Sequence, residues 1–524
     1  MKPISLALLL AGALVGWGGC EAQGLQPART VAGIESAPSP WLKGDVQLSP
    51  RQLVQLVAVR NPEIRYSRLG VDMAAYLSEA EASLYESVLF ANAVGNDANR
   101  QRTVEERISS AATLGVLDER SRTVEAGVRQ RLLTAGEVAL SYRVVRRTNN
   151  LISSSTNNQQ DTEWTSGIVL SLKQPLLRNA GRGVLETDRR VAELEREVQW
   201  AQFRQQVLRS TADSLNLYWQ LQRAQQARRL REESLNNVRK MAQDVEARID
   251  AGRAPPVGRL EVQTTMVSRE AELTRSRQAE REAEAKVMTA LSLSAAADAG
   301  LHLQASDAAL PLDPEPESLE RALQRALDRW PPYQVSQLRL QQGRLRLAYA
   351  DSQRRPQLDL NASYSSTGLA FNRSEARHIA SADRYPDWSV GLNLEVPLGG
   401  NGKAGGQYAA QAVRVQQNEL ELEAIRTSLA NDLAQRRDEL QAALQQVAQM
   451  QNDLALRRTL EDAERERYRL GMGQLSQWLQ RENETFEARQ RLAEATMRAQ
   501  MARVAWQFAQ GSLLDEYDIA MRSE

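Results

Sequence analysis

Two long stretches without glycine or proline constrain this chain more than any other feature. They cover residues 184–249 and 409–470, and at 1.5 Å per residue each would form a helix on the order of 100 Å long. Apolar residues recur in them at steps of three and four, with glutamine, arginine and glutamate between them. In the first stretch these are Leu208, Ala212, Leu215, Trp219, Val238, Met241, Val245 and Ile249. Such spacing predicts narrow coiled-coil seams rather than the helices of a globular core.

Each long stretch ends at a glycine, Gly252 in the first and Gly471 in the second. A glycine just past the last helical turn is a stop signal. We therefore predict two helical hairpins, with shorter returning helices over 257–293 and 475–510. Shorter helices are also predicted ahead of the strands, over 49–87 and 318–352.

The chain contains an internal duplication. Gly252 and Leu260 align with Gly471 and Leu479 at a single spacing of 219 residues. The segment 170–176 matches 392–398, each with the pattern Leu-x-Leu-x-x-Pro-Leu, at a spacing of 222. A proline-rich segment separates the halves, which predicts a linker over 295–317.

Strands with alternating polarity precede each long helix. The apolar positions are Trp164, Ile168, Leu170 and Leu172 in the first half, and Leu358, Leu360, Ala362, Tyr364, Trp388, Val390, Leu392, Leu394 and Val396 in the second. This period of two suits a transmembrane barrel with an apolar exterior and a polar lumen. A soluble sheet with one buried face would give the same alternation. The signal for export, described below, favours the barrel.

The first half is longer than the second between its short helix and its last strand, by some 47 residues (62 to 175 against 331 to 397). Within this surplus, apolar and polar residues alternate on both sides of Thr134-Ala135-Gly136. We predict an additional β-hairpin over 123–146, preceded by a strand over 88–94. The hairpin could enlarge the barrel or extend it outside the cell, and we favour enlargement.

Charge and composition exclude several classes of protein. The 66 basic and 66 acidic residues cancel, whereas a nucleic-acid-binding chain normally has a basic surplus. The two histidines, His302 and His378, lie far apart in polar, loop-like contexts, and no phosphate loop, paired-histidine helix or triad spacing is present. We therefore expect no enzyme, no cofactor and no metal site.

The start of the chain indicates export. An apolar run over 4–17 follows Lys2 and leads to Gly18, Gly19 and Cys20, which predicts a signal peptide over 1–19. Cys20 stands where a lipoprotein signal would leave it as the first, acylated residue; ordinary cleavage after Ala22 is the alternative. No later stretch approaches the ~20 apolar residues of a transmembrane helix, so a membrane crossing would require strands.

Taken together, these features resemble the TolC-like outer membrane efflux proteins over about 49–512. The resemblance rests on Asn61-Pro62-Glu63-Ile64 in the first short helix, the two Leu-x-Leu-x-x-Pro-Leu strand endings, the two glycine tips and the duplicated order. It implies a mainly α chain with a membrane β-barrel: a duplicated strand–long helical hairpin unit forming a trimeric β-barrel plus a periplasmic α-helical coiled-coil tunnel. A chain with four to six strands cannot close a barrel alone, which agrees with a homotrimer.

The resemblance also implies a function and a division of the chain. We expect the exit duct of a tripartite efflux or secretion system in the cell outer membrane, working with a periplasmic adaptor and an inner-membrane pump. The alternatives are a periplasmic adaptor lipoprotein, which would carry one hairpin, and a structural coiled coil, which would lack the strands. The expected segments are a signal peptide (1–19), a lipidated extended segment (20–48), the first repeat (49–294), the linker (295–317), the second repeat (318–512) and a tail (513–524).

Two groups of site residues follow from the resemblance. The adaptor-facing tips would be Arg248, Gly252, Leu260, Arg467, Gly471 and Leu479. Relatives often carry aspartates six and nine residues after the second tip glycine, forming acidic rings at the periplasmic constriction; here those positions are Gln477 and Gln480. The nearest carboxylate, Glu482, is about half a helical turn beyond and on another face. The aromatic Trp478 is an alternative constriction.

Overall fold

A computed structural model describes residues 44–103, 115–150, 162–253, 255–293, 300–306, 317–519 and 521. In these residues the chain forms long helices, one six-stranded antiparallel sheet and one short parallel strand pair. The described residues form two units. The helical unit draws on Met1–Asp72, Phe203–Trp330 and Leu429–Glu524, and the sheet unit draws on Met73–Gln202 and Pro331–Ser428. The boundaries between units fall inside three helices, so each of these helices supplies residues to both.

The helices confirm the predicted hairpins. In chain order they are α1 (Pro50–Arg60), α2 (Pro62–Ala82), α3 (Thr187–Asp250), α4 (Val257–Ala290), α5 (Leu319–Arg329), α6 (Pro331–Arg354), α7 (Arg373–Ser381), α8 (Gly402–Arg469) and α9 (Leu475–Ala509). Single helical turns also occur at Ser83–Tyr85, Arg182–Leu185 and Leu513–Glu516. Helix α8 begins seven residues before the predicted 409, because Gly405 and Gly406 in its first turns do not stop it. Each glycine costs roughly 1 kcal/mol in a helix interior, which a helix this long tolerates.

The predicted apolar seams are buried. In α3 of the helical unit, Leu208, Leu215 and Trp219 are almost fully buried. In the second hairpin, Leu429, Leu433 and Leu440 of α8 pack against two alanines of α5 and against Trp506 and Ala509 of α9. Burial of these narrow stripes, rather than a wide core, therefore stabilises the helical unit.

A short parallel strand pair lies in the helical unit. Strand β1 (Asp45–Leu48) pairs with β6 (His302–Ala305), which forms part of the predicted 295–317 linker. Two side chains of α3 hold the pair: the Tyr218 hydroxyl lies 3.1 Å from the Leu48 carbonyl oxygen, and the Gln225 amide bonds both Leu303 and Ala305. These bonds satisfy backbone groups that a two-stranded pair would otherwise leave unpaired.

The sheet unit contains six strands in one antiparallel sheet. They are β2 (Val88–Gln101), β3 (Val116–Arg131), β4 (Glu137–Asn149), β5 (Thr162–Pro175), β7 (Gln357–Ala370) and β8 (Pro386–Glu395), in the spatial order β2-β3-β4-β5-β7-β8. The predicted additional hairpin is confirmed as β3–β4, although all three strands extend beyond the predicted limits. Because β3 and β4 lie between β2 and β5 in the sheet order, the hairpin enlarges the sheet.

The two histidines correct one expectation. His302 begins β6 and His378 lies in α7, so both occupy regular elements rather than loops. Both side chains remain exposed, as predicted.

No helix in the described part of the chain is long and apolar enough to cross a membrane. Cys20 and the predicted signal peptide lie outside the described residues.

Candidate functional site

The first hairpin tip, between α3 and α4 in the helical unit, is closed by a glycine in the left-handed conformation. Gly252 has φ +70°, and its amide donates to the Ile249 carbonyl at 2.9 Å. The amide of Arg253 donates to the Arg248 carbonyl at 2.7 Å. This pair of bonds is a Schellman motif, which satisfies the last carbonyls of a helix.

The second tip, between α8 and α9, repeats this geometry. Gly471 has φ +77°, its amide donates to the Tyr468 carbonyl at 3.1 Å, and the Met472 amide donates to the Arg467 carbonyl at 2.9 Å. An added Cβ at either tip glycine would meet nothing within 4 Å. The requirement for glycine is therefore conformational, since other L-residues pay roughly 1–2 kcal/mol in this region of φ.

The two tips pack against each other through an aromatic and apolar cluster. The Arg248 guanidinium lies 4.7 Å from the centre of the Tyr468 ring and donates to the Tyr468 carbonyl at 3.3 Å. The Trp478 ring is 5.2 Å from that of Tyr468. The core of this cluster is Val238, Met241, Val245 and Val262, with Ile249, Met266, Leu475, Trp478 and Leu479 packed against it. Burial in this cluster raises the pKa of the Tyr468 hydroxyl.

The predicted tip residues differ in exposure between the repeats. Leu260 is 63% exposed, whereas its repeat mate Leu479 is half-buried in the tip cluster. Sequence comparison missed three further exposed apolar residues beside the turns, which are Val257, Leu470 and Met472. With Leu260 they give the tips an apolar surface, which the repeat alignment alone did not indicate.

The predicted constriction residues lie on different faces of α9. Gln477 and Gln480 are exposed, and the Gln480 amide donates to Glu484 at 3.1 Å. Trp478 belongs to the tip cluster. Glu482 is buried, as expected for a residue on another face of the helix.

Glu482 joins three helices of the helical unit. Its carboxylate accepts a hydrogen bond from Ser234 of α3 at 2.9 Å and lies 3.3 Å from the guanidinium of Arg269 of α4. Arg269, only 8% exposed, also donates to Asn483 and lies 4.9 Å from the centre of the Phe486 ring. Burial raises the pKa of the Glu482 carboxyl, and Arg269 and Ser234 oppose that effect. Sequence gave no signal for Arg269, because it stands among many arginines on an amphipathic helix.

The strand register of the sheet unit gathers most of the apolar positions on one face. Paired residues of antiparallel strands share a face. Leu394 pairs with Leu358 and Tyr364 pairs with Leu170, and the pairings between the other neighbouring strands continue the same face as far as β2. We name this the apolar face: Leu89, Ala91, Ala93, Val124, Ala126, Val128, Val138, Leu140, Tyr142, Val144, Ile168, Leu170, Leu172, Leu358, Leu360, Ala362, Tyr364, Trp388, Val390, Leu392 and Leu394. Its members include side chains as exposed as Trp388 (72%) and Leu392 (66%).

The opposite face of the sheet carries charged pairs beside some apolar residues, such as Val94 and Leu369. Arg143 and Glu125 form an ion pair at 3.1 Å, Arg147 and Glu163 form another at 3.1 Å, and Ser363 bonds Ser389. Among the described residues, no group of His, Cys, Asp and Glu side chains could hold a metal ion. The sheet therefore presents one mainly apolar surface and one surface that carries most of the paired charges.

Comparison with known proteins places this fold. The sequence model of the outer membrane efflux protein family matches residues 322–512, and no curated protein sequence matches the chain with significance. The outer-membrane channel OprN is 16% identical, with a TM-score of 0.61 over 88% of this chain and 90% of that one. VceC of Vibrio cholerae is 14% identical, with a TM-score of 0.60 over 88% of this chain and 96% of that one. The open state of MtrE of Neisseria gonorrhoeae is 15% identical, with a TM-score of 0.60 over 88% of this chain and 89% of that one.

The fold is thus that of outer membrane channels built from an antiparallel sheet and long helical hairpins. The resemblance to the TolC-like outer membrane efflux proteins is confirmed, since residues 322–512 match the family model and the chain has the fold of these channels. The matched family and structures are channels and not enzymes, in agreement with the expectation from sequence.

Replacing Glu482 by Gln should destabilise the helical unit at neutral pH by about 1–3 kcal/mol, because Arg269 keeps a buried charge with fewer partners. The unfolding free energy of the unmodified protein should also fall as pH rises through the raised pKa of Glu482, because the folded chain holds that proton more tightly than the unfolded chain. The variant should lack this part of the pH dependence. Thermal unfolding followed by circular dichroism from pH 4.5 to 7 measures both effects.

The matched control is Glu487→Gln, which breaks an exposed pair with Arg491 one turn further along α9. Exposed pairs contribute about 0–1 kcal/mol. Equal destabilisation by the two variants would contradict the role assigned to Glu482.

Proposed function

We propose that this chain is the exit duct of a tripartite efflux or secretion system, passively conducting substrates that a periplasmic adaptor and an inner-membrane pump deliver. The apolar face carries this proposal. A continuous apolar surface across six strands is far larger than the patches that soluble monomers expose. In lipid, the same surface would be the favourable exterior of a barrel, with the charged face towards the lumen.

Closure of such a barrel supports a homotrimer. The described strands leave β2 and β8 as the edges of the sheet, and an unpaired edge in lipid costs several kcal/mol for each backbone group. Six strands are fewer than the eight of the smallest membrane barrels. Three copies would supply eighteen strands, the size at which barrels enclose an aqueous channel. The trimer of the TolC-like family supports three copies rather than two.

The helical faces left open in a single chain support the same assembly. Helix α2 exposes one stripe at helical spacing, formed by Tyr66, Leu69, Met73, Tyr76 and Leu77. In α8, Val413 and Leu420 are likewise exposed. Neighbouring copies of the chain would cover these stripes. The helices would then form the wall of a periplasmic tunnel below an outer membrane barrel.

The alternative, a periplasmic adaptor, is less well supported. An adaptor would carry one helical hairpin flanked by small β domains. This chain has two hairpins with matching tips and a six-stranded sheet that carries the apolar face. Both features favour the duct.

The tips test the proposal. Replacing Gly252 and Gly471 together by Val should abolish export while membrane trimers persist, because β-branched residues cannot hold φ near +70° and the adaptor-facing surface would rearrange. Export by the cognate pump and adaptor, measured in a strain without its own duct, should fall to the level of the empty strain. The matched control replaces both glycines by Asn, which tolerates this conformation; it should retain most export. Normal export by the Val variant would refute the tip assignment.

The constriction is proposed to lie at Gln477 and Gln480. Two glutamines per chain in place of aspartates remove six charges from a trimer, so the channel should be weakly cation-selective and poorly blocked by trivalent cations. Gln477→Asp with Gln480→Asp should introduce block in planar-bilayer recordings. The same Gln→Asp change at Gln263, an exposed position on the other returning helix, α4, should not. Strong block of the unmodified channel from the periplasmic side would show that the charge lies elsewhere.

Anchoring is proposed through acylation of Cys20. Glu21 differs from the aspartate that retains lipoproteins at the inner membrane, which supports sorting outward. Mass spectrometry of the mature N-terminal peptide should find a lipid-modified cysteine, lost in Cys20→Ala. An unmodified peptide starting at Gln23 would contradict the proposal.

A further inference from the structure

The apolar side chains of this face give way to a row of arginines before the strands end. On the side of the sheet away from its long helices, Arg122 of β3 pairs in register with Arg146 of β4, and Arg146 pairs with Trp164 of β5. These residues share the apolar face, and Arg122 and Arg146 are the next side chains on that face beyond Val124 and Val144, two positions away in each strand. The Arg146 guanidinium lies 5.7 Å from the centre of the Trp164 ring.

Two like charges directly opposite each other destabilise a strand pair. Within the described residues, no carboxylate forms an ion pair with Arg122 or Arg146. The nearest acidic residue on this face, Asp97, lies one row beyond and pairs with Arg120 at 3.3 Å. On the opposite face, by contrast, Arg143 and Arg147 each have a carboxylate at 3.1 Å. The same strand thus neutralises its arginines on one face and leaves one without a carboxylate on the other.

Helix α7 lies on the apolar face beside this row. Ala376 and Ala380 are buried, and the Ala380 carbonyl accepts a hydrogen bond from Ser366 at 2.7 Å. Gly368 makes the close approach possible, since an added Cβ would lie 2.2 Å from the Ala376 carbonyl oxygen. Arg373, Arg377 and His378 of this helix are exposed, as is its one carboxylate, Glu375. The helix therefore adds basic groups at the end of the apolar face.

We propose that Arg122 and Arg146 bind the phosphate groups of an anionic membrane lipid whose acyl chains lie along the apolar face. The proposal rests on the proposed function, because it requires that face to meet lipid. Guanidinium groups match phosphate oxygens in a bidentate fork. Tryptophan beside a basic residue is typical of the level where headgroups begin. A bound phosphate would offset the repulsion between the two arginines, and α7 would flank the headgroup.

The test compares Arg122→Gln/Arg146→Gln with a matched control, Arg129→Gln/Arg131→Gln. The control removes two exposed arginines from β3 on the opposite face. The probe is bis-phosphorylated lipid A added to the full-length protein in neutral detergent micelles, with lipid retained on the protein counted by native mass spectrometry. Near a surface, each arginine contributes about a fivefold gain in affinity for anionic lipid, so the first variant should bind roughly 25-fold more weakly. The control should bind like the unmodified protein.

Three results would overturn the proposal: equal weakening in the control, equal binding of lipid A stripped of its phosphates, or displacement of the lipid by millimolar inorganic phosphate.

Folding is checked separately. Because the substitution removes a like-charge pair, its melting temperature in neutral detergent should equal or exceed that of the unmodified protein. Channel formation by the same variant in phosphatidylcholine bilayers distinguishes the two proposals. A variant that conducts but has lost lipid A retention supports the site, whereas an unmodified protein that retains lipid A without conducting counts only against the duct.

Discussion

Cross-strand register is the constraint on which the rest of the structure depends. Side chains alternate between faces with a period of two, so a slip of one residue between any two strands would move a whole set of leucines and valines onto the charged face. Five consecutive strand pairings keep the same phase from β2 to β8. Ion pairs such as Arg143 with Glu125 reinforce that phase from the polar side. An apolar face of this extent exists only because every pairing agrees with the others.

The helical unit solves a different problem, since its helices bury only a stripe each. Such helices need their ends fixed, because little core surrounds them. The two Schellman turns do this in the same way at both tips, and the Arg248–Tyr468–Trp478 stack joins the tips to each other. A little further along, Arg269 and Glu482 form a buried charge pair among three helices. Removing one partner of such a pair is destabilising, because it leaves a buried charge uncompensated.

Sequence patterns predicted the elements whose signal repeats along the chain. The long helices, the glycine tips and the alternating strands all have many residues in phase, so a single misleading residue does not obscure them. The pair β1–β6 could not be predicted, because it is four residues long and depends on Tyr218 and Gln225 in a distant helix. Helix α7 was missed for a similar reason, since Gly368 and Ser366 of another element hold it in place. Leu260 and Leu479 align perfectly in the duplication, yet only packing determines that one is exposed and the other half-buried.

The additional hairpin β3–β4 has a consequence for how such a sheet can change in width. Adding two strands keeps β2 and β8 running in opposite directions, so that in the proposed trimer the last strand of one copy could continue the antiparallel ladder with the first strand of the next. Adding a single strand would make those edges parallel and break the ladder at every junction between copies. Circumference can therefore grow only by whole hairpins, six strands at a time in a ring of three. The diameter of the pore in proteins built this way would therefore change in discrete steps, by whole hairpins, and not gradually by single residues.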